Sequence, residues 1–230
     1  MTTAKVIAVT GASSGIGEAT ARRLAQGGAK IGGDAQNHVV DVVEAGSVKS
    51  FIDVAVERFG RLDVLINNAG VMPLSPISAL KTDDWNRMID VNIKGVLNGV
   101  AAALPVFERQ GGGHFVNVAS VAGHGAFPSA AVYCATKIAV RALSEGLRQE
   151  LKTVRVTIIS PGAIATELGH DITDDKTLAF LEGVRSFALE PDAIARAIDY
   201  AVSQPDDVDI NEVIVRPVVH RLRAIGGDDH

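Results

Sequence analysis

The chain has 230 residues, 47% of them apolar, with 23 glycines, one cysteine and a formal net charge of −5. That length fits one domain, and the acidic balance, whose longest basic run is Arg22–Arg23, argues against a nucleic-acid partner or an anionic membrane surface. A lone Cys134 excludes a disulfide framework and a cysteine-rich zinc site, and it fits a reducing cytoplasm. The longest stretch without a formal charge, Gly111 to Thr136, carries His, Asn, Ser and Pro, so it does not read as a bilayer span. The first residues, Met1 to Lys5, pass straight into an apolar strand, and no signal peptide is expected.

In chain order, Val6–Val9 reads as a buried strand and Gly15–Gln26 as a helix ended by Gly27–Gly28. Val39–Val42 is a second strand candidate. Ser47–Phe59 carries Val48, Phe51, Ile52, Ala55 and Phe59 at helical spacing, and Gly60 stops it. Strand Val64–Ile66, a long helix from Asp84 to Phe107 and strand Phe115–Val118 come next. Ala131–Leu151 is again a helix, followed by strand Val154–Ser160, a mixed segment, helix Pro191–Ser203 and strand Val213–Val215. Apolar strands alternating with helices imply a doubly wound parallel sheet, a Rossmann-like α/β/α single domain over 1–230. In such sheets ligands bind at the carboxyl ends of the strands, which is where chemistry is sought.

After the first strand comes Thr10-Gly11-Ala12-Ser13-Ser14-Gly15-Ile16-Gly17, opening a helix. Glycines let backbone N–H groups approach an anion, and the helix N-terminus favours phosphate. The spacing is neither the G-x-G-x-x-G fingerprint nor a P-loop, and a purely packing role for the turn stands beside the phosphate-binding one. Tyr133 and Lys137 stand four apart in helical context and share a face. An ammonium group near a phenol favours phenolate, the usual way to make Tyr an acid/base near neutral pH. Ser120, just beyond Phe115–Val118, could hold a substrate oxygen, and Asn92 lies in a helix that disfavours it. Each has a plainer reading: a solvated Tyr–Lys pair, a capping Ser120, a helix-bending Asn92. Cys134 reads as a small core residue, and His114, His124 and His170 lack metal-ligand spacing, so no metal site is expected.

Taken together, Thr10–Gly17, Asn67-Asn68-Ala69-Gly70, Asn92, Ser120, Tyr133-x3-Lys137 and Pro161-Gly162 resemble the classical short-chain dehydrogenase/reductases (SDR family), with thirteen residues from Ser120 to Tyr133. The resemblance implies an NAD(P)-dependent enzyme interconverting an alcohol and a carbonyl by hydride transfer, with Tyr133 as general acid/base. It implies that Lys137 holds the nicotinamide ribose and depresses the Tyr133 pKa, that Ser120 orients the substrate oxygen, and that Asn92 fixes a water in a relay to Lys137. It further implies that Gly11, Ser13, Ser14, Gly15, Ile16 and Gly17 hold the dinucleotide phosphates and that Asp41 and Val42 meet the adenine. Asn68, Ala69 and Gly70 would line the cofactor, and Pro161, Gly162, Ile164 and Thr166 would contact its nicotinamide end.

One departure from the family pattern is large. Between Lys30 and Asp34 a strand and a helix are missing, roughly 20 residues with their turns, and Asp34 reads as a loop residue rather than a ribose-binding acid at a strand end. Either the segment is deleted or a stretch is absent from the sequence; the abrupt junction at Lys30–Ile31 favours absence, and an intact mass of 24.0 kDa would exclude it. The family's substrate lid falls on Ala163–Leu189, with His170-Asp171, Asp174-Asp175-Lys176, Leu178, Phe180 and Leu181; Met72, Pro73, His124 and Phe127 would flank the mouth opposite. The terminal Asp209–Pro217 resembles a subgroup acting on small polar aldehydes and hydroxy acids, so NADP(H) is favoured over NAD(H). The Asp84–Phe107 and Ala131–Leu151 helices are pairing faces of family dimers and tetramers, which implies a homo-oligomer, although intramolecular core would use the same apolar residues. A non-catalytic dinucleotide-binding module is the competing reading, and an extended-type epimerase has no room in 230 residues.

Overall fold

The computed structural model describes residues 4–32 and 40–218. Its elements are β1 (Val6–Val9), α1 (Gly15–Gln26), β2 (Lys30–Gly32), α2 (Ala45–Phe59), β3 (Val64–Asn67), α3 (Thr82–Ile89), α4 (Gly95–Gln110), β4 (Gly113–Val118), α5 (Ala131–Glu150), β5 (Val154–Pro161), α6 (Asp175–Arg185), α7 (Asp192–Ser203) and β6 (Glu212–Val215). The six strands form one sheet in the order β2-β1-β3-β4-β5-β6, with every neighbouring pair parallel. This is the expected Rossmann-like three-layer architecture.

Alternation along each strand sends side chains to opposite faces, and both faces are apolar. Val6 and Ala8 of β1 join Leu65, Phe115 and Val156 under Phe51 and Ile52 of α2 and Ala103 and Phe107 of α4. Ile7 and Val9 join Ile66, Val116 and Ile159 under Leu24 of α1 and Ile194 and Ile198 of α7. Phe107 meets Phe115 edge-on, with ring centroids 4.9 Å apart. Strand order turns back at β1, which has β2 on one side and β3 on the other. The crevice above the carboxyl ends of β1 and β3 is therefore the place for a ligand.

Three expectations need correction. Val40–Val42, the described part of the Val39–Val42 candidate, is a turn into α2 and not a strand. Asp41 bends the chain by accepting from its own downstream Val43 N–H (3.0 Å), and Asn98 Nδ2 donates to the Val42 and Val43 carbonyls. The strand beside β1 is instead Lys30–Gly32, where the sequence left none; its Gly32 is needed because a Cβ there would come within 2.7 Å of Ala55 Cβ. Asp34 lies outside the described residues.

The long helix is also not continuous: α3 and α4 are separated by a π-helical turn, Asp90–Lys94. The whole run, Thr82–Gln110, is long and apolar enough to cross a membrane by length and composition alone. In the fold, Val100, Ala103, Val106 and Phe107 of this run are buried in the core. The mixed segment contains α6, which Asp174 caps by accepting from Thr177 N–H at 2.8 Å.

Candidate active site

The glycine loop is shaped by contacts that exclude side chains. Gly11 and Gly15 have positive φ (65° and 53°), and a Cβ on Gly17 would overlap the Gly11 carbonyl. Thr10 Oγ accepts from Asn68 N–H (3.0 Å) and Ala69 N–H (3.2 Å), while Asn68 Nδ2 donates to the carbonyls of Thr10 (3.0 Å) and Gly11 (3.1 Å). The Asn68-Ala69-Gly70 segment after β3 is thus tied to the loop after β1. Ser14 occupies the N-cap of α1, yet its side chain makes no capping hydrogen bond. First-turn N–H groups therefore face an open cleft of about 720 Å³ lined by Ser14, Gly15, Thr166, His170 and Arg185 among others.

Asn92 is buried inside the π turn. It accepts from Val71 N–H (2.9 Å) and donates to Val71 O (3.0 Å) and Thr136 Oγ1 (3.1 Å). Both N–H groups and one lone pair of its amide are engaged by protein, which leaves the second lone pair of Oδ1 for a water. A Cβ on Gly70 would sit 3.3 Å from Asn92 Oδ1 and 3.7 Å from Lys137 Nζ, so those two groups flank the same glycine.

Ser120 caps the short 3₁₀ turn Val121–Gly123 by accepting from Ala122 N–H at 3.1 Å. Tyr133 and Lys137 lie one turn apart on the buried face of α5, 6% and 5% exposed. Lys137 Nζ is 5.8 Å from the Tyr133 ring centroid and donates to Val118 O at 3.1 Å. Burial pushes the Tyr133 phenol up to about 12, against a downward pull from hydrogen bonding with Ser120. Burial likewise lowers the Lys137 ammonium to about 8. This corrects the expectation that Lys137 depresses the Tyr133 pKa: desolvation dominates both groups, because both are removed from water. Tyr133 is accordingly a protonated phenol at neutral pH, suited to give a proton to a carbonyl oxygen.

Around Tyr133 the wall is apolar. Leu74, Met88, Ala130, Cys134 and Ile172 pack with it, and Met72, Trp85, Phe127, Leu178 and Leu181 lie partly buried against them. Ile172, Leu178 and Leu181 of the lid segment share this apolar cluster with Met72 and Phe127, whereas Phe180 points outward, 45% exposed. Arg87 Nη1 holds Asp171 at 2.9 Å and Lys81 pairs with Thr173, tying the lid to α3. Trp85, Ile172 and Thr136 escaped the sequence reading; helical spacing from Tyr133 to Thr136 was the one available signal.

Pro161-Gly162 ends β5, with Gly162 N–H donating to Val215 O at 2.8 Å. Ile164 bridges to Leu189, and Thr166 Cγ2 lies 3.0 Å from where a Gly15 Cβ would be. Asp41 and Val42 stand at the turn into α2, with Val42 buried against Gly95.

Residues 32–177 match the family model for short chain dehydrogenase. A relative from Staphylococcus saprophyticus, named an uncharacterized oxidoreductase, is 48% identical over 235 residues, covering 93% of this chain and 96% of its own length. Among solved structures, a serine dehydrogenase in its closed form, complexed with NADP+, superposes with a TM-score of 0.86 at 28% identity, covering 98% of this chain and all of its own. An alcohol dehydrogenase from the archaeon Thermococcus sibiricus, complexed with 5-hydroxy-NADP, gives 0.79 at 30% identity, covering 94% of this chain and 98% of its own. With a family model matching residues 32–177 and a 48% identical relative matching nearly end to end, the chain belongs to the short-chain dehydrogenase family.

Proposed function

We propose that this protein is an NAD(P)(H)-dependent oxidoreductase that interconverts an alcohol and a carbonyl. The observation that carries the reading is Tyr133 and Lys137, both buried on one face of α5, with Ser120 near enough to the Tyr133 phenol to pull its pKa down. A dinucleotide fits the residues present: Gly11, Ser13, Ser14, Gly15, Ile16 and Gly17 would hold its phosphates at the uncapped N-terminus of α1. Asp41 and Val42 would meet the adenine, Asn68, Ala69 and Gly70 would line the middle, and Pro161, Gly162, Ile164 and Thr166 would meet the nicotinamide end. When bound, the nicotinamide supplies or accepts the hydride.

In reduction, Tyr133 gives its proton to the substrate oxygen while Ser120 donates a hydrogen bond to that oxygen. In oxidation, Tyr133 takes the proton back. Lys137 would steady the ribose, and Asn92 holds the Val71 backbone beside it. NADP(H) is the preferred cofactor, a reading supported by the NADP-type ligands of the two structural neighbours. The shortfall of about 20 residues read at the Lys30–Ile31 junction is supported by an alignment that runs over 235 positions with about 214 residues of this chain. The protein works as a homodimer or homotetramer in the cytoplasm; exposed Leu97 and Ile138 on α4 and α5 support the first point, and a buried lone Cys134 the second.

Tyr133→Phe is the test. It should abolish turnover across an alcohol and carbonyl panel, a loss of at least about 100-fold, while NADPH and NADH titrations followed by fluorescence remain those of the parent. Cofactor binding by the parent without any turnover on the panel would instead identify a non-catalytic dinucleotide-binding module.

A further inference from the structure

The half-buried carboxylate of Glu212, at the start of β6, gathers donors from three separate elements. Oε1 accepts from Ser160 Oγ of β5 (2.7 Å), from His124 Nε2 (2.8 Å) and from Arg141 Nε of α5 (3.2 Å). Oε2 accepts from Arg141 Nη2 at 3.1 Å, and Arg141 Nη1 goes on to donate to Gly123 O at 2.9 Å. Each donor stands beside a residue of the active site. His124 is four residues after Ser120, Arg141 is four residues after Lys137, and Ser160 directly precedes Pro161, whose carbonyl lies 3.5 Å from Ser120 Oγ.

The Ser120 turn leans on this arrangement. A Cβ on Gly123 would lie 2.7 Å from Arg141 Cδ and 3.0 Å from Lys137 O, so the turn is pressed onto α5 between the two cations. Its own internal bonds are few: Ala122 N–H to Ser120 Oγ, Gly123 N–H to Ser120 O and His124 N–H to Val121 O. A three-residue 3₁₀ turn with that little support takes its orientation from what it is bonded to: Ser120 Oγ donates to Pro161 O at 3.5 Å, and the Gly123 carbonyl and the His124 ring both lead to Glu212. A charged acceptor shared by several donors makes stronger and more directional hydrogen bonds than neutral pairs.

We propose that Glu212 is a positioning residue of the active site: its carboxylate joins β5, β6, α5 and the Ser120 turn so that Ser120 is held at the distance from Tyr133 and Lys137 that proton transfer needs. The proposal rests on the oxidoreductase reading above. Reacting groups displaced by about 1 Å lose about 100-fold in rate, so a partial loosening of the turn falls on kcat rather than on binding. Glu212 touches neither Tyr133 nor Lys137 and acts through His124 and Arg141.

The test uses the intact protein, with sites counted by NADPH fluorescence titration and turnover measured on whichever panel substrate the parent accepts. Glu212→Gln should lower kcat per NADPH-binding site by about tenfold or more, with the NADPH Kd and the substrate KM within about twofold of the parent. His124→Ala should show the same pattern, and His124→Gln, which retains an N–H donor for Glu212, should recover most of the loss. A Glu212→Gln protein with kcat per site within about twofold of the parent would overturn the proposal. So would equal losses in the two His124 variants, which decide the matter if Glu212→Gln fails to fold. A parent that binds NADPH without turnover brings down the oxidoreductase reading and this proposal with it, whereas an active parent with unaffected variants brings down the positioning role alone.

Discussion

Lys137 shows how a single buried group trades stability for chemistry. Its ammonium has been lowered from 10.5 to about 8 by desolvation, and its one protein acceptor is the Val118 carbonyl. That difference corresponds to about 3 kcal/mol charged against the folded state while the side chain is protonated. Below pH 8 the lysine is charged in both folded and unfolded chains and the full cost applies. As pH rises from 8 to 10.5 the folded chain gives up its proton first, the unfolded chain binds more protons, and stability increases. Lys137→Met should therefore stabilise the protein at pH 7 by about 1–2 kcal/mol, after loss of the Val118 hydrogen bond is counted, while turnover falls to background. The stability gap should close near pH 9 and reverse in the parent's favour as pH approaches 10.5. Urea unfolding of both proteins at pH 7, 9 and 10.5 measures this, and a gap independent of pH would contradict the buried-charge account. The presence of Tyr133, Lys137 and Ser120 was legible in the sequence, because helical spacing and strand-end position place them. The direction of the Tyr133 shift was not, because it depends on how much water burial removes and spacing carries no information on that.

At the scale of elements, helix-to-sheet packing depends on glycines whose role propensity would misjudge. Gly99 sits in the interior of α4, where alanine is worth about 1 kcal/mol more as a helix former. A methyl group there would overlap the amide of Asn67, which donates to Asn117 Oδ1 at 2.9 Å; Asn117 in turn donates to Ser144 Oγ at 2.9 Å, and Ser144 to Val140 O at 2.7 Å. This chain of buried polar groups links β3, β4 and α5. Gly99→Ala should thus destabilise by about 2–3 kcal/mol, overpacking and a broken buried network outweighing the propensity gain. Denaturant midpoints decide, and a neutral or stabilising result would mean that α4 shifts freely. Elements with long periodic patterns, such as α2, α5 and α7, could be read from the sequence. Those that could not are short or locally driven: β2 has three residues, the second of them its only branched apolar one, and in Val40–Val42 only Val42 is buried, in a turn against Gly95, while Asp41 is exposed. The π turn at Asp90–Lys94 leaves no periodic trace because one extra residue per turn shifts the apolar stripe only locally. The Glu212 cluster was illegible for a different reason, since its members come from positions 124, 141, 160 and 212 and meet only through the sheet order.

Across the whole molecule, the two ends of the sheet carry different burdens. The carboxyl ends of the strands hold the site, and the amino ends hold His114 of β4, 2% exposed and paired across the sheet with Arg155. Its Nε2 meets Thr157 Oγ1 at 2.8 Å, and its Nδ1 has no partner among the described residues. Burial first, then the nearby charges of Arg155 and Lys5, lower its pKa from 6.5 to about 3. The folded protein thus keeps this ring neutral while the unfolded chain binds a proton below 6.5. Stability that is fully present above pH 6.5 must be lost as pH falls toward 3, at about 1.4 kcal/mol per pH unit from this residue alone. His114→Asn removes the titration, so its urea midpoint should decline less steeply than the parent's between pH 6 and 4, even if the variant is the weaker protein at pH 7. Parallel declines would place the acid sensitivity in the carboxylates instead. Because His114 lies on the far end of β4 from Ser120, the same variant should leave NADPH binding at pH 7 unchanged, which separates the loss of the fold at low pH from any titration within the site.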